Sequence, residues 1–443
     1  MKLWQKDKTA LKEVDRFTVG KDRDMDLYLA AFDVQGSLAH CRMLEKVKLL
    51  SAQESNDLQA ELKNIYKQIL KGHFSLEENV EDVHSQVEIL LTQKLGDTGK
   101  KIHAARSRND QVLVDLKLFL RHELELLVNK AGSVFELLQA QSEKFKSHLL
   151  PGYTHLQLAM PSSFGLWFGA YAESMTDDLV TIKAAYDIVN RNPLGSAAGY
   201  GSSFPIDRKM TAELLGFEGL NYNVVYAQMG RGKSERIVAQ ALSNLADTLA
   251  RLSMDATLFL NQNFGFIEFP EELTTGSSIM PHKKNPDVFE LIRAHCNKIK
   301  ALPNEISLMT TNLPSGYHRD LQLLKESLFP AFKTMSDCLE MTGLMLSSIS
   351  VNENILGDEK YKFLFSVEEV NKLVNAGMPF RDAYKKIGKD IAEGKFNYST
   401  DLHHTHEGSI GNLCTADIKR QWERIYYSFP FEKVNKAIET LVS

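Results

Sequence analysis

KSERIVAQALSNLADTLARLSMDATLFLNQNF, residues 233–264, contains neither glycine nor proline. Ile237, Val238, Ala241, Leu242, Leu245, Leu249 and Leu252 recur within it at three- and four-residue spacing. That is the period of one face of a helix, about 100° per residue, and the unbroken length predicts a long bundle helix. The same spacing links Leu38, Cys41, Leu44 and Val47. It returns in Leu113, Leu116, Phe119, Leu120 and Leu124, inside a second breaker-free stretch from Lys100 to Ala131. Alternating β-branched runs are scarce, so the chain reads as all-α. Helices this long pack against long partners, in this chain or a neighbouring one. Where long-helix segments give way to shorter mixed ones, three parts are expected. They are an N-terminal helical domain (1–100), a central long-helix bundle domain (101–355) and a small C-terminal helical domain (356–443).

Composition narrows the partners. The 443 residues, 43% hydrophobic and 25% charged, suffice for about three domains or one elongated subunit. A core that size needs no disulfide or metal for stability. Lys and Arg number 52 against 57 Asp and Glu, a net charge of −5, which lacks the basic footprint of a nucleic-acid binder. Cys41, Cys296, Cys338 and Cys414 lie far apart with no CxxC pairing. Structural zinc, an iron–sulfur cluster and a secreted disulfide framework are therefore disfavoured, and four reduced core thiols are expected. The N-terminus is charged from Lys2 onward, and no run reaches the roughly 18 apolar residues of a membrane span. A cytoplasmic protein with no membrane contact is the expectation.

Four polar segments could carry chemistry. Gly265 to Pro286 is too long for an ordinary connection in a helical domain, which favours a functional loop over filler. It contains Thr275-Gly276-Ser277-Ser278-Ile279-Met280-Pro281-His282-Lys283-Lys284-Asn285-Pro286-Asp287. Hydroxyls, free amides and two lysines precede a helix start read as Asn285 N-cap and Pro286 first turn, a combination suited to an anion. Taken singly, a Gly-Ser run is a linker and paired lysines a solvated face. Arg106-Ser107-Arg108-Asn109-Asp110-Gln111 could grip a carboxylate bidentately or simply cap a helix. Gly152-Tyr153-Thr154-His155-Leu156-Gln157 follows a Pro-Gly turn, though a lone histidine is more often structural. Gly316-Tyr317-His318-Arg319-Asp320-Leu321-Gln322, with Lys325 one turn on, supplies a phenol, an amide and cations.

Together these segments are similar to the fumarase/aspartase superfamily, and within it the chain resembles the argininosuccinate lyases. GSSIMPHKKN at 276–285 has the superfamily form GSSxMPxKxN. His103 with RSRNDQ at 106–111, GYTHLQ at 152–157, PLGS at 193–196 and FPIDR at 204–208 look like the argininosuccinate lyase patterns. Glu81-Asp82-Val83-His84, Gly36-Ser37-Leu38-Ala39-His40 and Met378-Pro379-Phe380-Arg381 also fit, so the likeness spans nearly the whole chain.

The resemblance implies a β-elimination that splits argininosuccinate into arginine and fumarate, in arginine biosynthesis. Ser277 matches the family's base; a serine alkoxide is usable only if amides and cations stabilise it. Lys283 and Asn285 would stabilise the aci-carboxylate formed when the proton leaves. His155, paired with Glu290, would protonate the departing guanidino nitrogen. Arg108, Asn109, Thr154, Tyr317, Gln322 and Lys325 match its substrate-binding positions. The resemblance also implies no metal or organic cofactor, and a homotetramer in which three subunits build each site around a central helix bundle.

Four departures from the family pattern stand out. LWGGRF is here Leu3-Trp4-Gln5-Lys6-Asp7-Lys8, and a substrate-contacting serine is expected near Gly20, which has no side chain. Ala104 and Ala105 replace Thr and Gly. The SDRD segment becomes Ala227-Gln228-Met229-Gly230-Arg231-Gly232-Lys233-Ser234, where Arg231 is the candidate replacement cation. His282 resembles the signature of adenylosuccinate lyase, the alternative fumarate-releasing enzyme; a crystallin-like structural protein is the non-enzyme alternative. RSRNDQ weighs against the first, and joint retention of Ser277, Lys283, Asn285, His155 and Glu290 against the second.

Overall fold

The computed structural model describes residues 12–443 apart from 79, so the departure at 3–8 lies outside the described residues. The first core forms where α1 (Ala30–Lys46), α2 (Ala52–Leu70) and α3 (Val83–Leu95) bury Val34, Leu38, Leu44, Leu58, Leu62, Val87 and Leu91. α2 begins with a capping box, Ser51 with Glu54, and α3 with Asp82, whose carboxylate accepts the Ser85 amide at 2.8 Å.

The periodic stretches become the bundle. α4 (Arg108–Lys144), α5 (Phe164–Val189), α6 (Lys233–Leu260), α7 (Asp287–Ile299) and α8 (Leu324–Ser347) share a second, larger core. Phe119, Phe135, Phe168, Tyr186, Leu245 and Phe332 are almost fully enclosed in it. α4 has 37 residues, about 55 Å at the usual helical rise, and passes through Gly132 without a break. Beyond it, α9 (Ser366–Asn375) and α10 (Phe380–Ala392) enclose a small core of Val370, Ala383 and Ile387. α11 (Thr415–Tyr426) packs Trp422 flat on Phe135, with ring centroids 4.3 Å apart.

The mostly helical architecture agrees with the reading from periodicity, apart from three two-stranded sheets among the described residues, two of them pairing only two residues a strand. β1 (Leu149–Thr154) and β2 (Gln157–Ser163) form an antiparallel hairpin joining α4 to α5. Its two-residue turn is His155-Leu156, with φ of 54° and 57°. That is the left-handed pair such turns require, here without the usual Asn or Gly. Three cysteines are buried as expected, whereas Cys414 is only half-buried, outside the core. None of the described helices is long and apolar enough to cross a membrane.

Candidate functional site

α4 starts at Ser107, whose hydroxyl accepts the Asn109 amide while its own N–H donates to Asp110 Oδ1 at 2.8 Å. Asp110 Oδ2 also takes the Gly195 and Ala197 amides, both at 2.9 Å, pinning the 193–207 loop to the helix end. Ala105, just upstream, lies at φ 61°, where the family pattern has glycine. Capping thus accounts for Ser107 and Asp110, and leaves Arg108 and Asn109 facing a cavity of about 230 Å³.

Tyr317, Gln322, Lys325 and Arg231 line that cavity too. So do Asp22, Asp26, Glu81, Asp82, His84 and Arg319, which sequence reasoning did not assign to the site. The Glu81–His84 motif was a signal for three of them; nothing local marked Asp22. Charges are matched across the walls. Arg108 lies 2.8 Å from Asp82 and donates to Ser85 Oγ, while Arg319 donates to Glu81 at 2.8 Å and to Gln322 at 3.1 Å. Lys325, almost fully buried, sits between Asp22 at 2.5 Å and Asp26 at 2.6 Å. Burial works against its charge, but the two carboxylates raise its pKa overall. Burial pushes the Asp22 carboxyl up to about 6, against the pull of Lys325.

Arg231 sits beside this end because Gly232 turns the chain at φ 76°, where a Cβ would meet Thr310 at 2.6 Å. Its guanidinium pairs with Glu235 at 3.3 Å and donates to the Leu321 carbonyl at 2.9 Å. The altered 227–234 segment therefore does place a cation at the cavity. Gly20 is not among the cavity's lining residues; Asp22 supplies the side chain at that end.

One group of described residues has donor atoms close enough for a metal: Asp33, His84 and Asp115, within 4.8 Å of one another. His84 Nδ1 lies 2.7 Å from Asp33 Oδ1, and Gln111 donates to that same oxygen at 2.8 Å. Although burial disfavours the imidazolium, Asp33, Asp115 and Asp82 push His84 up to about 10, so a proton already occupies the place of a cation. Burial drives Asp115 well above the ordinary carboxylate range, towards its neutral form.

The remaining candidates lie elsewhere. Thr275 and Asn285 pair across the neck of the signature loop, with the Asn285 amide N–H 2.8 Å from Thr275 O. The Asn285 side chain donates to Thr275 Oγ1 at 3.4 Å and Gly276 O at 3.3 Å. It therefore closes the loop and does not cap α7, which is preceded by Pro286 with no side-chain cap. Ser277 Oγ accepts the amides of Ile279 at 3.4 Å and Met280 at 3.2 Å. Lys283 is exposed and, among the described residues, has no ion pair; Lys284 pairs with Glu271 at 3.4 Å. His155 and Thr154 are exposed at the hairpin tip, Glu290 is exposed on α7, and no hydrogen bond or ion pair joins His155 to Glu290 within one chain. The structure thus gathers Arg108, Asn109, Tyr317, Gln322 and Lys325, and leaves Ser277, Lys283 and Asn285 on one loop and Thr154 and His155 on another.

The lyase family model matches residues 14–300, and the chain belongs to that family. Within it the similarity is to argininosuccinate lyases. The chain is 61% identical over 441 residues to that of Parabacteroides distasonis, covering all of this chain and 99% of the relative. It is 59% identical over the same span to that of Bacteroides fragilis, and 37% identical over 394 residues to that of Thermotoga neapolitana, covering 89% of this chain and 99% of the relative. Among solved structures, EDDS lyase in complex with formate matches with a TM-score of 0.76 at 20% identity, over 96% of this chain and 94% of that one. Class II fumarase from Schistosoma mansoni follows at 0.72 and 15%, over 94% of each chain. These two share the fold.

Proposed function

We propose that the chain is a carbon–nitrogen lyase that cleaves argininosuccinate to arginine and fumarate, with Ser277 as the base. The observation that carries this reading is the pair of backbone amides on Ser277 Oγ, inside a loop bearing the family signature. Directed amides are what an alkoxide needs to form at all. Ser277 removes the proton from the carbon beside the substrate carboxylate. Lys283 and Asn285 stabilise the resulting aci-carboxylate, and the nitrogen leaves as His155, polarised by Glu290, returns a proton. Arg108, Asn109, Tyr317, Gln322 and Lys325 hold the amino-acid half, and Thr154 contributes from the hairpin.

Because the acid, the base and the binding cavity stand apart in one chain, neighbouring chains complete each site in a cytoplasmic homotetramer. Exposed apolar residues on the bundle, Val180, Met254, Leu291 and Leu344, suit burial against another copy. The test is direct. Purified protein mixed with argininosuccinate should give the ultraviolet absorbance rise of fumarate. No rise with argininosuccinate but one with adenylosuccinate would overturn the substrate assignment; none with either would leave a structural protein.

A further inference from the structure

We propose that Asp22 is a specificity-determining residue: its carboxylate receives the α-ammonium group of the substrate's amino-acid half and rejects substrates acylated at that nitrogen. The inference rests on the reading of the cavity given above. At this end three carboxylates, Asp22, Asp26 and Glu235, face two cations, Lys325 and Arg231, leaving a surplus of negative charge. Arg231 is already tied to Glu235 and the Leu321 carbonyl.

Lys325 is shared by two carboxylates with different surroundings. Its ammonium donates to Asp26 Oδ1 at 2.6 Å, and Asp26 also accepts the Val83 amide at 3.3 Å. Asp22 Oδ1 is as near to Lys325, at 2.5 Å, and Lys325 is the one partner of the Asp22 carboxylate among the described residues. Both line the cavity, but the Asp26 side chain is only 3% exposed whereas that of Asp22 is 19% exposed. Asp26 therefore has both oxygens occupied, by Lys325 and the Val83 amide, whereas Asp22 has Lys325 alone and keeps a partly exposed carboxylate at the wall. A carboxylate in that state favours an incoming N⁺–H donor and repels a substrate carboxylate. Tyr317 and Asn109 line the same cavity and offer neutral donors to the neighbouring α-carboxylate, while Gln322 gives its amide N–H groups to the Thr18 and Val19 carbonyls. At about 230 Å³ the cavity falls below the roughly 300–1,000 Å³ that encloses a whole drug-sized ligand, and suits half a substrate. An acyl group would remove the charge that Asp22 selects for and add bulk where little space remains.

Steady-state kinetics with argininosuccinate and α-N-acetylargininosuccinate, on the full chain and its Asp22→Asn and Asp22→Ser variants, test this. Wild type should favour the free amine about 100-fold in kcat/KM. Asp22→Asn should raise KM for argininosuccinate about tenfold or more, with a smaller change in kcat, and leave KM for the acetyl compound unmoved. Asp22→Ser should act in the same direction and carries the comparison if Asp22→Asn does not fold. Equal losses on both substrates would reduce Asp22 to a support for Lys325 and overturn the proposal. An unchanged KM for argininosuccinate, or a wild-type preference for the acetyl compound, would overturn it too. Wild type that releases no fumarate from argininosuccinate would instead overturn the function on which the inference rests.

Discussion

The cavity beside Arg108 and the loop bearing Ser277 are built in opposite ways. Around the cavity every cation has a carboxylate or carbonyl partner, and Lys325, Asp26 and His84 are almost fully enclosed. The loop is exposed over most of its length, carries Ile279 bare at its tip, and is tied down chiefly where Thr275 meets Asn285. Preorganised charge suits holding a substrate whose own charges are fixed. A displayed loop suits groups that must meet a substrate held by something else, and the hairpin tip with His155 is displayed in the same way. On the proposed function, binding is concentrated inside the chain and the proton-transfer groups are presented outward.

The harshest way to test that division is to remove the base. Ser277→Ala should lower kcat by about 10³-fold or more while equilibrium binding of argininosuccinate persists, since the cavity is untouched. Initial rates of fumarate release, set beside calorimetric titration, would show it; near-normal turnover would strip Ser277 of its role. Mixing sharpens the comparison. Ser277→Ala and His155→Asn chains, each inactive alone, should regain activity when unfolded and refolded together, because some sites then receive Ser277 and His155 from different intact donors. A site contained in one chain would leave the mixture dead.

Adjacent lysines give the next contrast. Lys283→Ala should cost about 10²-fold in kcat, the loss of one charge aimed at the developing carboxylate. Lys284→Ala removes only an exposed pair with Glu271 and should keep kcat within about threefold. Similar losses from both would mean that the loop works by summed charge. In the enclosed region the readout is stability. His84 keeps its proton to about pH 10 when folded, against 6.5 when free. Its stabilisation is therefore complete below pH 6.5 and is lost as pH rises through 10. Melting temperature should fall between pH 7 and 10. His84→Gln should lower it by the equivalent of about 3–5 kcal/mol at neutral pH and flatten that slope. An unchanged slope would mean that His84 is neutral in the fold.

The same division explains what the sequence could disclose. Helix period and breaker-free length marked the bundle, and the 276–285 signature marked the loop, because both are local patterns. The cavity walls are not local: Lys325 meets Asp26 across 299 positions and Arg319 meets Glu81 across 238. No spacing rule joins such residues, so Asp22 and Asp26 escaped notice, and Arg319 reads only as a cation of its own segment. Asn285 looked like a cap because Asn-Pro before a helix has that form; pairing with Thr275 drew its side chain into the loop instead. The hairpin was hidden because its strands contain Pro151, Gly152 and Pro161, and its turn lacks the Asn-Gly signal.

That unusual turn sets the smallest effect. Leu156 sits at φ 57° and is 79% exposed, so its strain is offset by little packing. A glycine there would adopt the same backbone without the Cβ conflict, and should raise stability by about 0.5–1 kcal/mol. It would also free the turn that aims His155 outward. Leu156→Gly is therefore expected to melt slightly higher yet turn over argininosuccinate several-fold more slowly, with KM little changed because the cavity lies elsewhere. A variant more stable and equally active would show that the strain does not serve to position His155. One that loses binding instead would place the hairpin tip among the groups that hold the substrate.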